Sequence, residues 1–201
     1  MRPSPLLTAA AAAIALTTAA TVASAALPAG VTCQVKPTPA LSATQKATQQ
    51  LTWGKWASFD EFDVQLGGLP APDAAPKYHA LSKRPGATAN TGRPLLLFLH
   101  GFPEFSWAWE GWLQTFGAQY DSVAIDLKGY AQSSRPADVA AYDAARLADE
   151  IDHIVDCLGY SQVIPVAHDW GAGLAWAYAF RHPDKLKAMV ILATQIGRAH
   201  V

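Results

Sequence analysis

The segment Val166-Ala167-His168-Asp169-Trp170-Gly171-Ala172-Gly173 places an aspartate between small residues where an apolar run gives way to a helical pattern. A sharp strand-to-helix turn lifts one side chain above the carboxyl end of a sheet, and the residues two before and two after it must be small so that the backbones can approach. Ala167 and Gly171 meet that demand. The raised side chain is then the Asp169 carboxylate, which is ionised at neutral pH and needs no base to activate it. Its attack on carbon leaves an alkyl ester. That chemistry suits displacement at an sp³ carbon bearing a strained epoxide oxygen or a halide better than acyl transfer. The alternative role for Asp169 is an N-cap, where aspartate is among the favoured residues; the small neighbours favour the nucleophile.

Such a turn needs a sheet beneath it, and the chain supplies the rhythm. Leu95-Leu96-Leu97-Phe98-Leu99 is a continuous apolar run of the kind found in a strand covered on both faces. It ends in His100-Gly101-Phe102-Pro103-Glu104, after which Phe105, Trp109, Trp112 and Phe116 recur at helical spacing. Further strands are expected at 122–125, 163–167 and 188–193, and helices at 142–158 and 171–181, the last stopped by His182-Pro183. This alternation predicts a parallel sheet with helices on both faces. Phe62–Leu66 and Tyr78–Leu81, separated by a Gly- and Pro-rich turn, read as an opening antiparallel pair. Pro165 is the discordant residue, because proline in a central strand forfeits a ladder hydrogen bond.

Three ordered motifs carry a resemblance. His100-Gly101-Phe102-Pro103-Glu104, Asp126-Leu127-Lys128-Gly129-Tyr130-Ala131-Gln132-Ser133 and His168-Asp169-Trp170-Gly171-Ala172 resemble the HGFPE, DLRGYGxS and HDWGA segments of the epoxide hydrolases within the α/β-hydrolase superfamily. The likeness runs from Leu95 to Gln195, about half the chain. It implies an α/β fold with a mostly parallel, doubly wound sheet, and Asp169 as nucleophile. It also implies an oxyanion hole from the backbone N–H groups of Phe102 and Trp170, and Trp109 on the substrate-binding wall. His100 reads as a structural hydrogen-bonding residue. The departures are Ala167 and Ala131 for glycine and Lys128 for arginine; none removes a reacting group. Haloalkane dehalogenases share the aspartate, but typically carry at position 102 an asparagine whose amide holds the halide, and Phe102 has no such donor. A third reading is a non-catalytic exported binding module on the same scaffold.

The resemblance further implies a water-activating histidine, an acid that orients it and two cap-domain tyrosines, all beyond the sixth strand. The 201 residues stop soon after that strand, so the expectation is a fold truncated before its cap and last strands, without full turnover. Ile196-Gly197-Arg198-Ala199-His200-Val201 matches one reading frame of a common sequencing adapter, and residues 196–201 are expected to be read-through.

Composition bounds the partners. The chain is 51% hydrophobic and 15% charged with a formal net charge of -1, which offers no electrostatic footprint for nucleic acid and no polybasic face for a membrane. A small apolar substrate such as an epoxide is expected, with no cofactor and no metal. Arg2, the apolar run Leu6 to Leu16 and Ala23-Ser24-Ala25 read as a signal peptide over residues 1–25, which predicts a secreted or periplasmic protein without stable membrane association. Residues 26–58 then form an N-terminal arm, and 59–195 the N-terminal part of the hydrolase domain. Cys33 and Cys157 are the only cysteines. Their pairing is left open, with a half-buried thiol at Cys157 the expected state.

Overall fold

The computed structural model describes residues 27–38, 59–83 and 92–193. The expected signal peptide, most of the arm beyond residue 38, and residues 196–201 lie outside the described residues. Seven strands form one sheet in the order β1-β2-β3-β5-β4-β6-β7. They are β1 Thr32–Pro37, β2 Asp60–Gly67, β3 Lys77–Ser82, β4 Leu95–Leu99, β5 Asp121–Ile125, β6 Val163–His168 and β7 Val190–Leu192. The pairs β1·β2, β2·β3 and β3·β5 are antiparallel. The pairs β5·β4, β4·β6 and β6·β7 are parallel. The helices are α1 Glu110–Phe116, α2 Ala144–Cys157 and α3 Trp170–Arg181. No helix among the described residues is long and apolar enough to cross a membrane.

The unbroken leucine run of β4 has its cause in the layers on either side. Alternate side chains leave a strand on opposite faces, and both faces of β4 are covered. Leu95, Leu97 and Leu99 pack with Ile151, Ile154 and Val155 of α2 and with Ala172, Ala175 and Tyr178 of α3. Leu96 and Phe98 pack on the other side with Leu113 and Phe116 of α1. Burying each such side chain contributes roughly 1.5–3 kcal/mol, so the sheet's centre is its most firmly held part. Helix α2 begins where Asp143 accepts hydrogen bonds from the Ala145 and Arg146 N–H groups, an N-cap of the usual kind.

Pro165 sits in β6 opposite Leu97 of β4, and it forfeits nothing there. Val163 donates to Lys185 O and accepts from Lys187 N, so residues 163 and 165 turn their backbone toward β7. The β6·β7 ladder starts only at Val166 opposite Val190. Pro165 therefore falls in the gap between that single bridge and the ladder, where no donor is required.

Three elements differ from expectation. Within the stretch read as an arm, residues 32–37 form edge strand β1, paired along its length with β2. The half-buried thiol expected at Cys157 is instead one end of a disulfide to Cys33, with Cα atoms 5.9 Å apart. The helix expected from residue 105 starts as a 3₁₀ turn, Ser106–Trp109, and becomes α-helical only at Glu110. Its entry has no side-chain cap.

Candidate active site

The three sequence motifs lie at the carboxyl ends of β4, β5 and β6, which are adjacent in the sheet. Clefts for ligands form outside the carboxyl ends of such strands. Asp169 follows β6 with φ 50 and ψ -115, a left-handed conformation that costs a non-glycine residue about 1–3 kcal/mol. The turn can close only because the second residue of α3, Gly171, has no side chain. A Cβ on Gly171 would lie 2.3 Å from Leu99 O and 2.6 Å from His100 O. Asp169 makes no side-chain cap hydrogen bond to α3, so the N-cap role is ruled out by geometry. Its backbone carbonyl instead accepts from Ala172 and Gly173 N–H.

With the turn so shaped, the carboxylate meets the loop after β4. Phe102 N–H donates to Asp169 Oδ1 at 3.0 Å, and the Trp170 N–H, next in the chain, adds its pull on the carboxylate. The Phe102 bond foremost, then the Trp170 N–H and the charge of His168, outweigh desolvation and hold the Asp169 carboxyl below its ordinary value. Backbone donors lower a carboxyl pKa by favouring the charged form. The side chains of Phe102 and Trp170 are 64% and 70% exposed, so the residues flanking the carboxylate carry exposed apolar rings.

The loop itself is braced from below. Leu127 N–H donates to His100 Nε2 at 2.9 Å, so the proton resides on Nδ1, which donates to Gly101 O at 2.9 Å. Both nitrogens are used within the fold, and burial pushes the His100 pKa down against the opposing pull of Gly101 O, Asp126 and Glu104. His100 is thus a strut, as its motif position suggested. Asp126 ties the second motif to the 3₁₀ turn that follows the first, accepting from Ser106 N–H at 2.9 Å, and closes its own loop by accepting from Gln132 N–H at 3.1 Å. Lys128 is buried and bonds Glu150 at 2.7 Å and Ala141 O at 3.3 Å, so the lysine in place of arginine still anchors its loop to α2.

Asp169, Phe102 and Trp170 are therefore brought together. Trp109 is not. It is 4% exposed and packs on Phe98 at 5.2 Å and Trp112 at 5.8 Å, a core residue where a pocket wall was expected. The reason lies in the spacing that suggested the helix, since the apolar stripe at residues 109, 112 and 116 packs against the sheet. A pair not singled out from sequence, Glu104 and His168, lies beside Asp169. His168 Nδ1 is 3.1 Å from Glu104 Oε2, which also accepts from Gly101 N–H at 3.0 Å. Both residues were visible as motif letters, but their meeting depends on the turn between Gly101 and Glu104.

Comparison with known proteins agrees with this geometry. Residues 94–201 match the family model described as alpha/beta hydrolase fold. Among relatives, mouse epoxide hydrolase 4 is 40% identical over 106 residues, covering 53% of this chain and 30% of that protein. Epoxide hydrolase B of Mycobacterium tuberculosis is 40% identical over 98 residues, covering 48% and 28%. The crystal structure of an epoxide hydrolase from Vigna radiata superposes with a TM-score of 0.61 at 32% identity, covering 72% of this chain and 41% of that one. That of an epoxide hydrolase from Bacillus megaterium in complex with an inhibitor gives 0.53 at 36%, covering 58% and 38%. The first relatives are thus matched over only 26% to 34% of their own length. With half the chain matched by that family model, the protein belongs to the α/β-hydrolase fold family.

Proposed function

We propose that the full-length protein is an epoxide hydrolase that works through a covalent ester on Asp169. The observation that carries this reading is a carboxylate, not a hydroxyl, on the strained turn after β6, with the N–H of Phe102 donating to it. In the first step an Asp169 oxygen forms a bond to an epoxide carbon, the ring C–O bond breaks, and the departing oxygen takes a proton from an acid. In the second, water adds to the ester carbonyl and transfers a proton to a base, and the charge on the former carboxylate oxygen is held by the two N–H donors. Collapse releases a diol and restores the carboxylate. Phe102 offers no side-chain donor for a halide, which favours the epoxide over a haloalkane. The exposed aromatic rim suits a small apolar substrate.

Single-turnover hydrolysis in ¹⁸O-water tests the route. The ester predicts label in the Asp169 carboxylate after repeated turnovers, and Asp169→Asn forms no ester. Label found only in the diol would overturn the covalent mechanism. We also place the protein in an oxidising compartment outside the cytosol, supported by the Cys33–Cys157 disulfide. Recovery from the cytosolic fraction with both thiols free would refute that location.

A further inference from the structure

We infer that Glu104 is a positioning residue for the Asp169 reaction, locking the loop that carries the Phe102 N–H onto the strand end that carries the nucleophile. The inference rests on the ester reading above and goes beyond it by assigning a residue whose carboxylate bonds Gly101 and His168, the neighbours of the reacting groups. Glu104 closes the turn twice. Its backbone N–H donates to Gly101 O at 2.9 Å, and its Oε2 accepts from Gly101 N–H at 3.0 Å. The same Oε2 lies 3.1 Å from His168 Nδ1, the residue immediately before Asp169. One carboxylate oxygen therefore ties both walls of the site, the β4 loop and the end of β6.

The tie matters because the loop has no slack. A Cβ on Gly101 would stand 2.6 Å from Asp169 Cβ and 3.0 Å from His168 Nδ1, so this turn is pressed directly against the nucleophile. Phe102, the next residue, directs its N–H at Asp169 Oδ1 while its ring faces solvent and gives the turn no packing anchor. What fixes the direction of that N–H is then the bonding of its neighbour Gly101, through His100 on the carbonyl side and Glu104 on the amide side. The two chemical steps depend on this donor unequally. On the free carboxylate it stabilises the ground state of the nucleophile, whereas in ester hydrolysis it meets charge that develops in the transition state. Loosening it should slow hydrolysis far more than alkylation, and the ester should accumulate.

Rapid-quench mass measurement on the full-length protein with styrene oxide separates the two rates. Glu104→Met keeps the side-chain volume but removes both acceptors. Hydrolysis of the ester should fall about 10–100-fold, within the range for a lost or misplaced oxyanion donor, while alkylation changes by less than about threefold. Glu104→Gln keeps an acceptor for Gly101 N–H and should restore most of the hydrolysis rate. Equal slowing of both steps, or a Met variant that hydrolyses its ester like wild type, overturns the assignment. A second measurement needs no variant: the Gly101 amide should resist hydrogen exchange in the wild type, and exchange at an open-loop rate overturns the assignment as well. Failure of the wild type to form any ester would instead count against the ester reading itself.

Discussion

Two glycines two residues apart at the start of α3 should respond in opposite directions to the same substitution. In Gly171→Ala the new Cβ would lie 2.3 Å from Leu99 O and 2.6 Å from His100 O. Both are backbone atoms at the sheet's centre, where β4 pairs on both sides, so neither can swing away. The helix must retreat by about 0.7 Å to reach even the 3.0 Å limit of real Cβ contacts. Overpacking of this kind costs about 1–3 kcal/mol, against a gain of up to about 1 kcal/mol from helix propensity. In Gly173→Ala the Cβ meets nothing within 4 Å, and the propensity gain of about 1 kcal/mol stands alone. The propensity gain is common to both, so the two variants should differ by the overpacking cost, about 1–3 kcal/mol, in urea unfolding. The retreat also moves the Trp170 N–H away from Asp169, and displacement near 1 Å can cost about 100-fold in rate. Equal stabilities, or a Gly171→Ala protein with wild-type turnover, would refute the close-approach argument.

Removing the disulfide by Cys33→Ser with Cys157→Ser opens a loop with a sequence separation of 124 and should cost about 3–5 kcal/mol; a thermal-melt change worth less than about 1 kcal/mol would contradict this. Ala131 has φ 37 where the resembling motif has glycine, so Ala131→Gly should gain about 1 kcal/mol, measured by denaturant midpoint; a loss would show that the loop accommodates the methyl without strain. The Asp169 carboxyl is held below 3.8, so its stabilising hydrogen bonds are fully present above the unfolded value and vanish only as pH falls through the lower folded value. Ester formation after brief acid jumps should accordingly persist below the pH at which a free aspartate protonates, and an acid limb at or above 3.8 would contradict the bonding seen here.

What could be read from the sequence follows from how steeply geometry constrains composition. The Asp169 turn was legible because close backbone approach leaves no room for a side chain at 171 and favours a small one at 167, and β4 because a strand covered twice can carry no polar residue. Edge strand β1 was not. Only Cys33 and Val35 face inward, half-buried, while Thr32, Gln34 and Lys36 are exposed, and two alternations amid Thr and Pro are too weak a period to name a strand. With β1 unseen, the approach of Cys33 to the end of α2 was unseen too. Trp109 shows the converse limit: helical spacing correctly predicted order in that segment, but the same spacing that makes a stripe turns it toward the core. The role of Glu104 depends on a four-residue turn, and a turn's hydrogen bonds are not encoded in residue types alone.

The strain at Asp169 can be isolated from its chemistry. At φ 50 and ψ -115 the residue is held in place from several directions. Its N–H reaches Leu192 O of β7 at 3.4 Å, its carbonyl caps α3, and its carboxylate takes the Phe102 N–H. Asp169→Ala and Asp169→Gly both delete the carboxylate, its charge and the bond from Phe102, so the difference between them reports the backbone alone. At an ordinary helix or strand position glycine is the less stable of the two by roughly 0.5–1 kcal/mol. Here the order should invert, with Asp169→Gly more stable than Asp169→Ala by about 1–2 kcal/mol, because only glycine adopts this conformation without steric cost. Chemical denaturation of the two variants side by side reads this directly. If alanine proves equal or better, the turn relaxes once the carboxylate is gone, and the hydrogen bonds of Asp169, rather than the close packing of β4, β6 and α3, would be what holds the nucleophile in its raised position.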